Sequence, residues 1–234
     1  MAIAAAQPSR TRRAPLAWAV AGCLLVVAGL AIGVVTSFGP QLRLDRAAAV
    51  AMYAGDGRTA ALNDLLLVLT EPGYLVARLA LLLPVIIWLV LRRAVWTAVW
   101  ALATVALISP VTILVKELVD RARPDFAGGG ARLSSLSFPS GHAAGSATLV
   151  IVVLVLAWPR LTATGRRVAV PLGVAVAVVV GLSRMWLGVH YLSDVVAGWA
   201  LGTAWALSLA LAFGAFPGGR TALPAPDARR GGGP

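Results

Sequence analysis

Apolar residues form long, nearly uninterrupted stretches in this chain, and polar residues are concentrated between them. Six of the stretches are long enough to cross about 30 Å of hydrocarbon as a helix. They cover residues 16–38, 74–91, 94–115, 142–158, 168–186 and 190–213. The pattern therefore predicts an all-α fold, that of a polytopic membrane protein with six transmembrane helices.

A shorter amphipathic stretch lies in the connection between the first two predicted spans, at about residues 59–70. Leucines recur there at helical spacing beside polar residues, which predicts an interfacial helix in the first outer loop. In the next span, Arg78 falls about one turn inside the predicted boundary. We expect its long side chain to carry the guanidinium back to the headgroups rather than to bind a ligand.

The two ends of the chain differ in composition from its centre. Residues 1–15 and 214–234 are rich in Pro, Gly, Arg and small residues, and bury too little apolar surface to offset the entropy of ordering. We expect disordered cytoplasmic tails around one membrane domain at 16–213. The first apolar stretch is too long for a signal peptide and five more follow it, so we expect it to remain as a helix.

The charged residues predict how the helices are oriented. With both termini inside, the inner segments carry eleven arginines and one acid, whereas the outer segments carry nine basic and eight acidic residues. Arginine-rich segments stay on the cytoplasmic side, so the sequence predicts a multi-pass protein of a cell inner membrane or plasma membrane with cytoplasmic termini. The net charge of +11 does not indicate nucleic acid as a partner, because 59% of the residues are hydrophobic and no soluble basic face remains.

Three polar clusters fall in the connections expected on the outer side, facing the periplasm or exterior. In the first, Lys116 precedes Arg123 by seven residues, about two helical turns, so the two cations are expected to share a helix face that Pro124 ends. A basic helix end stabilised by the helix dipole is the simpler alternative.

The second cluster, Pro139 to His142, directly precedes the fourth predicted span. Ser140 can cap that helix, and its free N–H groups can bind an anion. Gly141 allows a ligand to approach the backbone. A simple capped helix start would explain Ser140 and Gly141, but it does not require His142.

In the third cluster, Arg184 ends the fifth span, and His190 opens the sixth with Asp194 one turn further on. A carboxylate at this position can fix the tautomer of the imidazole and stabilise its cationic form. Such a pair alone would more often be a local hydrogen bond. The three clusters together, on one membrane face, indicate a site for phosphoryl transfer.

Small residues predict that the clusters meet. Gly141 and Gly145 on the fourth span, and Gly198 and Gly202 on the sixth, are each four residues apart, a spacing that lets helix backbones approach closely in lipid. If these pairs draw the two helices together, the two histidines become neighbours across one cleft.

The order and spacing of the clusters resemble the type 2 phosphatidic acid phosphatase superfamily, the integral-membrane lipid phosphate phosphatases. The resemblance covers roughly residues 45–213 and includes Ser183 beside Arg184. It implies that His190 is the nucleophile, that Asp194 orients it, and that His142 acts as general acid and then base. It further implies that the phosphate is bound by the side chains of three cations and by the start of the fourth span: Lys116, Arg123, Arg184, Ser140 and Gly141.

The expected function is hydrolysis of a lipid phosphate or diphosphate through a phosphohistidine. Undecaprenyl diphosphate is the first candidate substrate, followed by phosphatidic acid and phosphatidylglycerol phosphate. No cofactor and no metal are expected, because three cations around the imidazoles would repel a divalent ion. The alternatives are a lipid-phosphate phosphotransferase, a non-catalytic transporter or flippase of anionic headgroups, and a vanadate-dependent haloperoxidase, which is typically soluble.

Overall fold

The protein is helical throughout the part that the structure describes. The structure is a computed structural model that describes residues 10–126, 135–216, 219–221 and 223, with the backbone alone at 10–12. The eight α-helices of the described residues are α1 (Arg10–Val35), α2 (Gly39–Met52), α3 (Ala60–Thr70), α4 (Leu75–Leu91), α5 (Val95–Val119), α6 (Gly141–Ala157), α7 (Ala163–Trp186) and α8 (Leu192–Phe213). Short 3-10 turns follow α3 and α6, at Glu71–Gly73 and Trp158–Arg160.

Five helical segments are long and apolar enough to cross a membrane by themselves, namely Arg13–Val35, Val95–Val119, Gly141–Arg160, Ala163–Trp186 and Leu192–Phe213. A sixth span results if α3 and α4, which are bent by 56° at Tyr74, count as one. The all-α membrane fold is therefore confirmed, with five or six spans. The predicted amphipathic helix is α3, capped by Thr59, whose side chain accepts a hydrogen bond from the backbone N–H of Leu62. Its location at the membrane interface stays a prediction.

The described chain continues beyond both predicted ends of the membrane domain. Helix α1 begins at Arg10, before the predicted N-terminal boundary. Ala215 and Phe216, after the predicted C-terminal boundary, are buried. The hydroxyl of Thr97 on α5 donates to the carbonyl oxygen of Thr221 at 2.7 Å. Residues 1–9 and most of 217–234 lie outside the described residues, so their disorder and cytoplasmic location stay predictions.

Helices α6 and α8 lie against each other over much of their length, and two glycines of α8 make this possible. A Cβ at Gly198 would stand 2.5 Å from the carbonyl oxygen of Ser140, and one at Gly202 would stand 2.2 Å from that of Ala144. The prediction that this glycine pair brings the two helices together is confirmed.

The corresponding prediction for α6 is wrong. The position of a Cβ on Gly141 has only a methyl group of Thr112 on α5 within 4 Å, and Gly145 faces Arg78 and the carbonyl oxygen of Gly73. The residues that meet Gly198 and Gly202 are instead the cap residue Ser140 and, on α6, Ala143 and Ala144, whose small size permits the same close approach.

Arg78 does not extend toward the headgroups, so that prediction is also wrong. Its side chain is 2% exposed, and its Nη2 donates to the hydroxyl of Ser109 on α5 at 2.9 Å. A Cβ on Gly145 would stand 2.0 Å from Nη1, so the missing side chain of that glycine provides the space for the guanidinium. The inward direction arises because a hydroxyl partner and a glycine gap lie on neighbouring helices, which the sequence of α4 cannot reveal.

Candidate active site

The first two predicted cations converge through a loop rather than along a helix. Helix α5 ends at Val119, because Asp120 adopts a left-handed backbone conformation with φ of 50°. Arg123 therefore lies outside the helix, and the prediction that it shares a helix face with Lys116 is wrong. Both side chains nevertheless donate to the carbonyl oxygen of Leu136, Arg123 through Nη2 at 3.2 Å.

Arg123 also fixes the segment that leads into α6. Its Nε donates to the carbonyl oxygen of Ser135 at 2.7 Å, and its Nη1 donates to that of Val189, also at 2.7 Å. The guanidinium thus joins the segment before α6 to the α7–α8 connection that carries His190.

Ser140 caps α6 as predicted, since its hydroxyl accepts from the backbone N–H of Ala143 at 3.5 Å. Its own N–H donates to the carbonyl oxygen of Asp194 at 2.9 Å, which joins the start of α6 to the start of α8. The space beside Gly141 is nearly free, so a ligand could approach the backbone there. Anion binding at this helix start stays a prediction.

His142 lies one residue further along α6. Its ring and the ring of Tyr74 form an edge-to-face pair, with centroids 4.4 Å apart and planes at 77°. Gly73 lies directly beside it, where an added Cβ would come within 2.7 Å of the imidazole Cβ and Cδ2. The Nε2 of His142 is buried and has no hydrogen-bond partner among the described residues, so none of them competes with a substrate atom for it.

His190 and Asp194 face each other as the spacing predicted. The Nδ1 of His190 lies 3.4 Å from Oδ2 of Asp194, and the same oxygen accepts from the backbone N–H of Tyr191 at 2.9 Å. The opposite ring nitrogen, Nε2, lies 3.2 Å from Nη1 of Arg123. A proton on Nδ1 would satisfy the carboxylate and leave the lone pair of Nε2 directed toward the cations, a tautomer assigned from these contacts.

The surroundings of His190 favour its neutral form. Its side chain is 2% exposed, and burial lowers its pKa to about 3. The hydrogen bond and charge of Asp194 oppose this shift, whereas the guanidinium groups of Arg123 and Arg184 lower the pKa further. The imidazole is therefore uncharged at neutral pH, which is the form required of a nucleophile.

The remaining predicted cation, Arg184, lies at the end of α7. Its Nη1 donates to the hydroxyl of Thr70 at 3.3 Å, while its Nε is buried without a hydrogen-bond partner among the described residues. Arg184 interacts electrostatically with Lys116, with His142 and with His190. The structure thus brings the predicted side chains from α5, α6, α7 and α8 into one charged cluster, in which the two histidines also interact with each other.

The sequence did not indicate three further residues that lie behind His190. Arg121 donates through Nη1 to Oδ1 of Asp194 and through Nη2 to Oδ2 of Asp45, both at 2.7 Å. Ser193 joins the same cluster through Arg121 and Asp45. Arg121 stands only two residues before Arg123, so its closeness to the predicted cluster could have indicated it as a candidate. Asp45 is 148 residues from Ser193, and no local sequence pattern connects the two.

The described residues around the two histidines do not form an evident metal site. Among the described residues, no group of three or more His, Cys, Asp or Glu side chains is placed to bind a metal ion. Asp194 is occupied by Arg121, by the N–H of Tyr191 and by His190. Metal independence stays a prediction that requires a chelation experiment.

The chain is similar in sequence and in fold to several known proteins. The model of the PAP2 superfamily matches residues 76–216. Phosphatidylglycerophosphatase B of Bacillus subtilis is 44% identical over 92 residues, which cover 38% of this chain and 44% of that protein. Decaprenylphosphoryl-5-phosphoribose phosphatase of Mycobacterium tuberculosis is 38% identical over 114 residues, which cover 47% of this chain and 57% of that protein. The chain thus spans about half the length of these curated relatives.

A solved structure matches over a larger part of the chain. It is the crystal structure of a transmembrane PAP2 type phosphatidylglycerolphosphate phosphatase from Bacillus subtilis, with a TM-score of 0.68 and 27% identity. The match covers 82% of this chain and 94% of that one.

Proposed function

The chain belongs to the PAP2 superfamily, and we propose on that premise that it is a membrane lipid phosphatase acting through a phosphohistidine on His190. The observation that supports this most directly is the environment of the two rings. His190 has a carboxylate at Nδ1 and a guanidinium beside Nε2, and His142 has a buried Nε2 without a partner among the described residues.

In the first step, Nε2 of His190 attacks phosphorus in line with the bond to the lipid oxygen. The P–N bond forms as the P–O bond breaks, and the protonated imidazole of His142 gives its proton to the departing oxygen, which leaves His142 neutral. Lys116, Arg123 and Arg184 stabilise the charge on the phosphoryl oxygens, with the backbone N–H groups at the start of α6.

In the second step, a water molecule attacks the phosphohistidine. The neutral imidazole of His142 accepts a proton from this water, the P–N bond breaks, and inorganic phosphate leaves with His190 restored to its neutral form. Asp194 stabilises the cationic ring of His190 between the two steps. The three cations supply charge that a metal ion provides in many other phosphoryl-transfer enzymes, so we expect catalysis without a metal.

The substrate we infer is a lipid that carries a terminal phosphate. Names of the relatives describe phosphatases of phosphatidylglycerophosphate and of decaprenylphosphoryl-5-phosphoribose, so a lipid phosphomonoester now ranks ahead of undecaprenyl diphosphate. We place the site on the periplasmic or outer side, because the arginine distribution of the sequence puts both termini in the cytoplasm.

Phosphate release from purified protein tests the proposal. Phosphatidylglycerol phosphate, phosphatidic acid and undecaprenyl diphosphate would be supplied in mixed micelles, and we expect phosphate from at least one of them. His190→Ala should abolish release. Arg92→Gln is the control and should leave release unchanged, because Arg92 follows the C-terminal end of α4, whereas Tyr74, beside His142, precedes its N-terminal end. Movement of labelled headgroups across a vesicle membrane without phosphate release would favour the flippase alternative. Transfer of the phosphoryl group to an added alcohol would favour the phosphotransferase.

A further inference from the structure

A single buried arginine joins two carboxylates from distant parts of the chain. Arg121 contacts Asp194 on α8 and Asp45 on α2, each at 2.7 Å. The three side chains are 8%, 0% and 2% exposed, respectively. Buried ion pairs of this kind cost desolvation energy, so they require good geometry and further hydrogen bonds to be tolerated.

Those further hydrogen bonds come from Ser193, next to Asp194 in the chain. Its backbone N–H donates to Oδ1 of Asp45 at 2.9 Å, and its hydroxyl donates to Oδ2 at 2.6 Å. The same hydroxyl accepts from Nη1 of Arg121 at 2.8 Å. The ring of Tyr191 lies 4.1 Å from the Cζ of Arg121 and covers one face of the guanidinium. The position of Arg121 is thus fixed from several sides.

The charges of this network do not cancel while His190 is neutral. Within the network one guanidinium faces two carboxylates, so these three side chains together carry one net negative charge. In the phosphohistidine the imidazolium ring carries one positive charge that offsets it, while the charge of the phosphoryl oxygens would be met by Lys116, Arg123 and Arg184. A site organised in this way stabilises the positive charge that develops on the ring in the transition state more than it stabilises the neutral resting ring, which is the condition for catalysis.

We propose that Asp45 is a positioning residue of the catalytic site, which neutralises Arg121 and so leaves the negative charge of Asp194 available to His190. Without Asp45, Arg121 would offset that charge itself. This inference rests on the proposed roles of His190 and Asp194. Asp45 lies on α2, outside residues 76–216, the part of the chain that the family model matches, so the proposal makes α2 part of the catalytic apparatus.

The substitution Asp45→Asn removes the charge and preserves the shape of the side chain. The hydrogen bonds and the ion pair of Asp45 go to Arg121 and Ser193 and not to Lys116, Arg123 or Arg184, so phosphate binding should be largely unaffected. We expect kcat to fall about 10-fold or more, as for other residues that orient a functional histidine. KM should change by less than about twofold, because the lost interaction acts on the intermediate rather than on the bound substrate.

The level of phosphohistidine gives a second readout that a purely structural role would not move. Protein turning over a 32P-labelled lipid phosphate would be quenched in base, because phosphohistidine is labile in acid. Asp45→Asn should accumulate less labelled protein than the wild type. Asp64→Asn, which removes an exposed carboxylate from α3, is the matched control and should retain both kcat and labelling.

Asp45→Glu decides the case in which Asp45→Asn fails to fold. It keeps the charge, so a folded Glu variant should form phosphohistidine near the wild-type level even with lower thermal stability. Collapse of labelling in folded Asp45→Glu would overturn the proposal, as would wild-type kcat and labelling in folded Asp45→Asn. Absence of phosphate release by the wild-type protein on every lipid tested would instead refute the proposed function itself.

Discussion

The Nε2 of His190 lies 3.2 Å from Nη1 of Arg123, and the same guanidinium nitrogen donates to the carbonyl oxygen of Val189 at 2.7 Å. Arg123 is thereby anchored to the backbone immediately before His190. A phosphoryl group attacked by Nε2 would meet this fixed cation as the bond forms. The arrangement provides charge stabilisation that requires little reorganisation during the reaction.

Replacement of Arg123 by Gln should therefore reduce kcat/KM by about 100-fold, the usual effect of removing one preorganised donor to a transition-state oxygen. Initial rates of phosphate release across a range of lipid concentrations measure the effect. Arg123→Lys should recover only part of it, because an ammonium cannot reproduce the bonds to Ser135 and Val189 together. Full activity in either variant would show that Arg123 does not contact the transferred group.

The neutral state of His190 predicts how the rate of phosphohistidine formation depends on pH. Its folded pKa of about 3 means that His190, the proposed nucleophile, stays neutral from pH 7 down to about pH 4. We expect the rate of phosphohistidine formation in a single turnover to show no loss attributable to His190 over that range. This expectation would be contradicted by a rate that falls as the pH is lowered, with an apparent pKa near 6.5, if the same pH dependence persists in His142→Ala.

The same group links stability to pH. The imidazole has a pKa of about 6.5 in the unfolded chain, so between about pH 6.5 and pH 3 it is protonated when unfolded and neutral when folded. The free energy of unfolding should therefore decrease as the pH falls through this range. Thermal unfolding in detergent should therefore depend less on pH in His190→Asn than in the wild type over this range. Identical pH dependence in both proteins would mean that folding does not lower the pKa of the His190 ring.

Close contact between α6 and α8 should be sensitive to a single methyl group. Gly202→Ala places a Cβ 2.2 Å from the backbone oxygen of Ala144, and a backbone atom cannot move aside as a side chain can. We expect a loss of about 3 kcal/mol in stability, seen as a lower melting temperature, and a parallel loss of activity. Gly22→Ala on α1 is the control, since nothing lies within 4 Å of its added Cβ.

Chelation tests the expected independence from metal. Activity should survive extended dialysis against EDTA, because Lys116, Arg123 and Arg184 supply the positive charge in the proposed mechanism. Vanadate should inhibit, since its trigonal bipyramidal geometry resembles the transition state of in-line transfer. Loss of all activity in EDTA, restored by one added metal, would contradict the mechanism.

The sequence by itself determined the membrane fold, the positions of most spans and the identity of the three polar clusters. Long apolar runs have few other stable structures in lipid, and Ser140 can be recognised as a helix cap from its local sequence. The close approach of α6 and α8 at Gly198 and Gly202 could also be predicted, because small residues four apart form a local pattern.

Only the tertiary structure decided how those clusters are supported. The left-handed conformation of Asp120 ended α5 before Arg123, and a hydroxyl on α5 with a glycine on α6 turned Arg78 inward. Asp45 reached Ser193 across 148 residues of sequence. Each of these depends on which helices become neighbours, and partners distant in sequence leave no periodic signal in either segment.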